Sequence, residues 1–180
     1  MCADRLSYLE CSRILYESNI FTFGPRFPRH MRMGTAAPTF VAFCRTILPE
    51  RVSMIRHVRL WNIHFHWRHA GLPQGFVLSG SQGRYWSDVC DLLRQMSALS
   101  TLHIGIGGSR WSVGCTPDGY RQEVKGQCPE HRLLMQLQGV RASKTFIVEA
   151  PWPDEIVGDL SNTTFEFKRI AIDPHIRYFS

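Results

Sequence analysis

The sequence predicts an α/β fold: helices alternating with mostly parallel strands in a single layer, interrupted by two long loop insertions at about 62–84 and 107–128. Three observations carry this. Ile55-Arg56-His57-Val58-Arg59-Leu60 is apolar at its first, fourth and sixth positions, and Leu99-Ser100-Thr101-Leu102-His103-Ile104 repeats the spacing. Val58 and Leu102 stand 44 residues apart, and Phe146, in Phe146-Ile147-Val148, lies 44 further on. Between the first two strands, Trp86, Val89, Cys90, Leu93 and Met96 recur at helical spacing. A helix that delivers the chain into a strand beside an earlier one is a right-handed crossover, so the strands run parallel. Burial on both faces is then the expectation, and it accounts for their apolar make-up.

The elements follow in order. Residues 3–18 read as a helix, with Leu6, Leu9 and the Ile14/Leu15 pair near helical spacing and neither Gly nor Pro. Ile20-Phe21-Thr22-Phe23 is a β-rich run closed by Gly24-Pro25. After a loop, Pro38 opens a helix whose inner face is Phe40, Phe43, Cys44 and Ile47, and Pro49 stops it. The central strand spans about 54–61. Asn62 to His69 either extends it or forms a hairpin arm, ahead of a glycine-punctuated loop. The clearest helix, Tyr85 to Ser97, leads into a strand at 99–106. Gly105, Gly107 and Gly108 end that strand. Pro129 starts a helix with Leu133, Leu134 and Leu137 inward and Gly139 as its stop. Strands at 144–149 and 164–172 flank a short helix from Asp154 to Leu160.

Strands with this apolar pattern are similar to those of leucine-rich repeats, but such repeats run about 20–29 residues. Evenly sized crossovers explain the 44-residue spacing as well. The fold is therefore read as one leucine-rich-repeat-like or open-sheet layer, and 1–180 as one domain. The first helix has no lead-in, so an N-terminal segment is expected to be missing.

Composition narrows the function classes. With 44% hydrophobic and 20% charged residues, the chain has the make-up of a folded globular protein. The net charge of +6 is carried mostly by arginine, since Lys125, Lys144 and Lys168 are the lysines; it permits an acidic partner but no run is densely basic. Six scattered cysteines suit reduced thiols better than a disulfide framework. No signal-peptide pattern and no apolar run near the ~20 residues of a membrane span are present. An intracellular protein, cytoplasmic or nuclear, away from membranes, is the expectation.

Few side chains converge on chemistry. His64 and His66 point the same way on a strand and His69 follows, so the three are candidate zinc or copper ligands. Histidines packed among Phe65 and Trp67 are the plainer reading. Cys115, Cys128 and His131 lack the paired knuckle of a zinc site. Ser79-Gly80-Ser81-Gln82-Gly83 lacks the first glycine of a nucleophile elbow. Gly105-Ile106-Gly107-Gly108 follows a strand but misses the third glycine of a dinucleotide loop. No cofactor is expected.

Arginine offers more. Arg26, Arg29 and Arg32 interleave with Phe27 and His30 in one loop, and Arg56, Arg59, Trp61, Trp67 and Arg68 form a similar mixture. Guanidinium groups beside aromatics grip phosphates and stacked bases. These residues are candidates to line a site for an acidic partner at the sheet's edge. A buried parallel strand leaves little room for unpaired arginines, so Arg56 and Arg59 must reach the rim or find carboxylates such as Glu50, Asp88 or Asp91.

Leu15-Tyr16-Glu17-Ser18-Asn19-Ile20-Phe21 resembles the LY-x-x-N-x-F helix-to-strand step of a large fungal family of unknown function. The Ile55–Leu60 strand and the Trp86–Ile104 helix and strand are similar to further motifs of that family, and the likeness covers about residues 6–170. Some members carry an F-box-like segment upstream. The resemblance implies an α/β domain without established activity, implies no catalytic residue, and admits an adaptor role in ubiquitin ligation by analogy. Three functions follow as expectations. The first is a non-enzymatic module whose strand-end loops bind a protein partner. The second is binding of nucleic acid or another polyanion through the arginines. The third is a metal-binding or hydrolytic enzyme using the histidines.

Overall fold

The computed structural model describes residues 2–24, 36–63, 66–69, 76–79, 81–107, 129–152 and 157–170. Helices alternate with strands in an α/β arrangement. Five parallel strands form one open sheet: β1 (Ile20–Phe23), β2 (His57–Ile63), β5 (Thr101–Ile106), β6 (Thr145–Ala150) and β7 (Glu166–Arg169), and they lie side by side in chain order. The 44-residue spacing is the register itself: Val58 pairs with Leu102 and Leu102 with Phe146, while His57, Thr101 and Thr145 form the neighbouring row.

That strand order decides where the helices go. Right-handed crossovers that always step in the same direction fall on the same side of a sheet. Doubly wound folds cover the second face by reversing the order, and no reversal occurs here. The core therefore lies on one face. Val58, Leu60, Leu102, Ile104, Phe146 and Val148 are all at most 5% exposed. Against them pack α2 (Ala36–Thr46), α4 (Ser81–Gln95) and α5 (Pro129–Met135). The alternate positions, expected from the sequence to be buried as well, stay half-buried or exposed, except Gly105.

Apolar spacing explains the helices. Phe40 and Cys44 of α2, and Trp86, Val89, Cys90 and Leu93 of α4, are fully or almost fully buried. Trp86 donates its indole N–H to the Leu133 carbonyl at 3.2 Å, which ties α4 to α5 inside the core. Arg94 continues the tie outside, donating to the carbonyls of Gln136 and Gln138 at the end of α5 while pairing with Asp91 at 2.6 Å. Gly139 then takes a φ of 85°, the left-handed turn that closes a helix.

Several elements differ from expectation. Pro49 does not separate helix from strand; it opens a further helix, α3 (Pro49–Met54), at the N-terminal position where proline's missing N–H costs nothing. Residues 66–69 and 76–79 form an antiparallel hairpin, β3 (His66–His69) with β4 (Phe76–Ser79), and α4 begins at Ser81 despite Gly83 within it. Gly158, Asp159 and Leu160 are not helical, and the last strand is only four residues long.

The largest difference is α1 (Cys2–Ser18). The helix forms as expected, but Leu9, Ile14 and Leu15, which fall near helical spacing, are 54%, 64% and 51% exposed. The helix is docked through Tyr16, which stacks on Phe21 at 5.8 Å, and through Arg51 of α3, which lies over the Tyr8 and Tyr16 rings. It packs at the rim of the sheet rather than across it.

Candidate functional site

No described helix packs on the other face of the sheet, and polar side chains gather there. Pleating sends every second residue to it: Ile20 and Thr22 from β1, His57, Arg59 and Trp61 from β2, Thr101, His103 and Gly105 from β5. Thr145, Ile147 and Glu149 of β6 and Glu166 and Lys168 of β7 complete it.

A bulge organises its centre. Leu60 pairs with Ile104, but the next pair is Ile63 with Ile106, so β2 holds one residue more than β5 across that step. A bulge re-aims the side chain it carries, and here it lays the Trp61 indole over Gly105. A Cβ on Gly105 would sit 2.6 Å from Cε3 of Trp61, so the close approach requires glycine. On the other side, Gly24 adopts a φ of 136°, and a Cβ there would meet the Trp61 carbonyl oxygen at 2.6 Å. Gly105 thus seats the indole, and Gly24, just past β1, makes room for the Trp61 backbone.

Beside it stands His103, whose ring centroid is 4.4 Å from that of Trp61, tilted by 58°. Nε2 of His103 is shielded from water and lies 3.1 Å from Oε2 of Glu149, off the line of a hydrogen bond. The two form an ion pair once the imidazole is protonated. Trp61, His103 and Glu149 therefore make a row across β2, β5 and β6. A second pair lies nearer the strand starts: Nδ1 of His57 is 2.8 Å from the Thr101 hydroxyl.

Arg56 and Arg59 part company. Arg56 bonds Glu17, at the end of α1, at 2.5 Å, and Glu17 also takes Arg13 at 2.8 Å. Neither Glu50, Asp88 nor Asp91 serves Arg56, and Asp88 is occupied by Arg45 at 2.8 Å. Arg59 is exposed in the middle of the open face, register partner of Thr22 and of His103, and makes no hydrogen bond or ion pair with a described residue. It projects from an inner strand, onto the face of the sheet rather than its edge. Arg26, Arg29, Arg32 and His64 lie outside the described residues. Trp67, Arg68, His66 and His69 fall on β3, which is described in backbone alone.

Among the described residues the open face carries no cysteine. Burial pushes the thiols of Cys44 and Cys90 up to about 12, so both are protonated and inert at neutral pH. Cys11, Cys44 and Cys90 are free. Among the described residues no group of three or more His, Cys, Asp or Glu is placed to hold a metal ion, and no helix is long and apolar enough to cross a membrane.

Of this site the sequence marked Trp61 and Arg59. His57, His103, Glu149 and the seat at Gly105 were passed over. Their signal was present: each occupies an alternate position of a strand whose other positions are apolar, the mark of a one-sided sheet.

Comparison with known proteins places the chain by family alone. The family model described as "Domain of unknown function (DUF7730)" matches residues 2–170, nearly the whole chain. No curated protein and no solved structure matches.

Proposed function

The chain belongs to the DUF7730 family, a domain of unknown function, and within that family we propose that it is a non-enzymatic interaction module whose open sheet face receives a protein partner. One observation carries the reading. A parallel sheet ordinarily has both faces covered, and this one leaves a face with Trp61 seated on Gly105 among exposed polar side chains. An aromatic held rigidly on a flat, half-polar surface is the composition of interface anchors. The strand-end loops, favoured by the sequence, give way to the face itself. Action inside the cell, in an adaptor-like role, is part of the proposal.

Site-specific photo-cross-linking tests it. A cross-linker at Thr22 or Thr145, both on the open face, is expected to trap a partner in cells, and one at Ser87 or Arg132, on the helical side, is not. Cross-links confined to the helical side, or turnover of a small substrate by the purified chain, would sink the reading.

Binding of a nucleic acid or other polyanion is the second reading. It loses Arg56 to Glu17, and Glu149 and Glu166 share the face with Arg59. Tight, salt-sensitive retention on heparin that disappears on changing Arg59 would restore it.

A further inference from the structure

Four donors surround one point of the open face. Arg59 is exposed and unbonded to any described residue. Thr22 lies opposite it on β1, and His103 opposite it on β5. His57 sits two residues before Arg59 on the same strand and the same face. Neighbouring strands are about 4.8 Å apart, and residues two apart on one strand about 6.6 Å, so all four fall within a patch about 10 Å across. Nδ1 of His57 is engaged by Thr101, while Nε2 of His103 only faces a carboxylate, that of Glu149. The remaining nitrogen of each ring has no hydrogen bond to a described residue. An arginine, a hydroxyl and two imidazoles thus share this point, with no carboxylate at the same register position on β1 or β5.

The charge around the patch limits what it fits. Glu149 is two strands from β2 and Glu166 three, both on the same face. Beyond the strand starts, Glu17 holds Arg56. Glu166 is paired with Lys168 at 3.5 Å, so the carboxylates that bound the patch are Glu149 toward β6 and Glu17 beyond the strand starts. A nucleic acid lays down one negative charge after another and would meet that rim. A single compact anion avoids it. A phosphate monoester carries about −1.5 to −2 charge and three acceptor oxygens, which suits an arginine fork joined by several donors better than a carboxylate does.

We propose that the Arg59 patch binds a phosphorylated serine or threonine presented by the protein partner. Trp61, carried in the bulge two residues after Arg59, takes a neighbouring side chain of the same segment. This rests on the open-face reading of the function.

The test is a binding measurement on the full chain. Its probes are a degenerate peptide library centred on phosphoserine or phosphothreonine, the same library unphosphorylated, and inorganic phosphate as competitor. Phosphorylated members are expected to bind in preference, with inorganic phosphate displacing them and shifting the imidazole resonances of His57 and His103. Arg59→Ala should weaken binding roughly tenfold or more, and Arg59→Lys less, because lysine keeps the charge and loses the fork. Arg45→Ala, on the helical side, should leave it unchanged. Unchanged thermal melting of each variant shows that the fold is intact. Equal binding of the two libraries, binding indifferent to Arg59→Ala, or retention of neither library overturns the proposal. Cross-links from Thr22 or Thr145 alongside any of these results leave the open-face reading standing; their absence removes both.

Discussion

Val58 and Arg59 are neighbours on one strand and belong to two different surfaces. Val58 is 1% exposed beneath α2 and α4, in a core of aliphatic and aromatic side chains. Arg59 looks the other way, onto a face with two histidines, a tryptophan and carboxylates. The same alternation runs through Leu102 and His103, and through Val148 and Glu149. One face carries the buried core, and the other carries polar side chains that no described helix covers. The cause is topological: five strands laid down in chain order put every crossover on one side.

The comparison breaks most visibly at the covered face. Trp86 is wholly buried and its indole N–H satisfies the Leu133 carbonyl. Trp86→Ala is expected to cost about 3–5 kcal/mol, from the cavity and the carbonyl left without its donor. Chemical denaturation reads this directly. A loss below about 1 kcal/mol would mean that α4 is not part of the cooperative core.

The boundary between the faces is sharpened at Gly105. It belongs to a buried strand, yet its missing side chain serves the open face. Gly105→Val would drive two methyl groups into the indole and is expected to cost about 1–3 kcal/mol. Removing the obstacle should recover part of that loss: Gly105→Val with Trp61→Ala is predicted to be more stable than the sum of the single changes allows. Strict additivity would show that the two residues do not touch.

How much of this was legible beforehand follows the same division. The covered face was plain in the sequence, because burial enforces apolar residues at every second strand position and every third or fourth helix position. The 44-residue spacing even gave the register of three strands. The open face was not, because a polar residue between two apolar ones also fits a fully buried strand near its end. The seat of Trp61 depends on a bulge, on Gly105 of β5 and on Gly24 just past β1, which no local window contains. At α1 the pattern misleads in the other direction. Leu9, Ile14 and Leu15 have the spacing of an inner face, but a helix at the rim has no sheet to bury them against.

The cysteines give a pH prediction. Burial raises the thiols of Cys44 and Cys90 from the ordinary 9.0 to about 12, while Cys11 is exposed. A raised thiol pKa favours folding wherever the thiol stays protonated. The contribution is whole below about pH 9, and it is lost as pH climbs from there toward 12. Stability by denaturation should therefore fall between pH 9 and pH 10.5 in the parent and fall less in Cys44→Ala/Cys90→Ala. At pH 8 a thiol reagent should label Cys11 at once, and Cys44 and Cys90 only on unfolding. Rapid labelling of either buried thiol would count against a tight helical layer.

The smallest expected effect separates the two faces most cleanly. Val58→Ala removes two buried methyl groups at about 0.8 kcal/mol each and should cost about 2 kcal/mol. Arg59→Ala, one residue on, removes an exposed side chain with no partner among the described residues, and should change stability by less than about 0.5 kcal/mol. Chain, strand and backbone hydrogen bonds are common to both positions, so the contrast isolates the face. A large loss from Arg59→Ala would show that something covers the open face and holds Arg59 in place, and the face would then be structural. A negligible loss leaves an arginine on an inner strand that the fold does not need, and the reason for its presence must then be sought in what it binds.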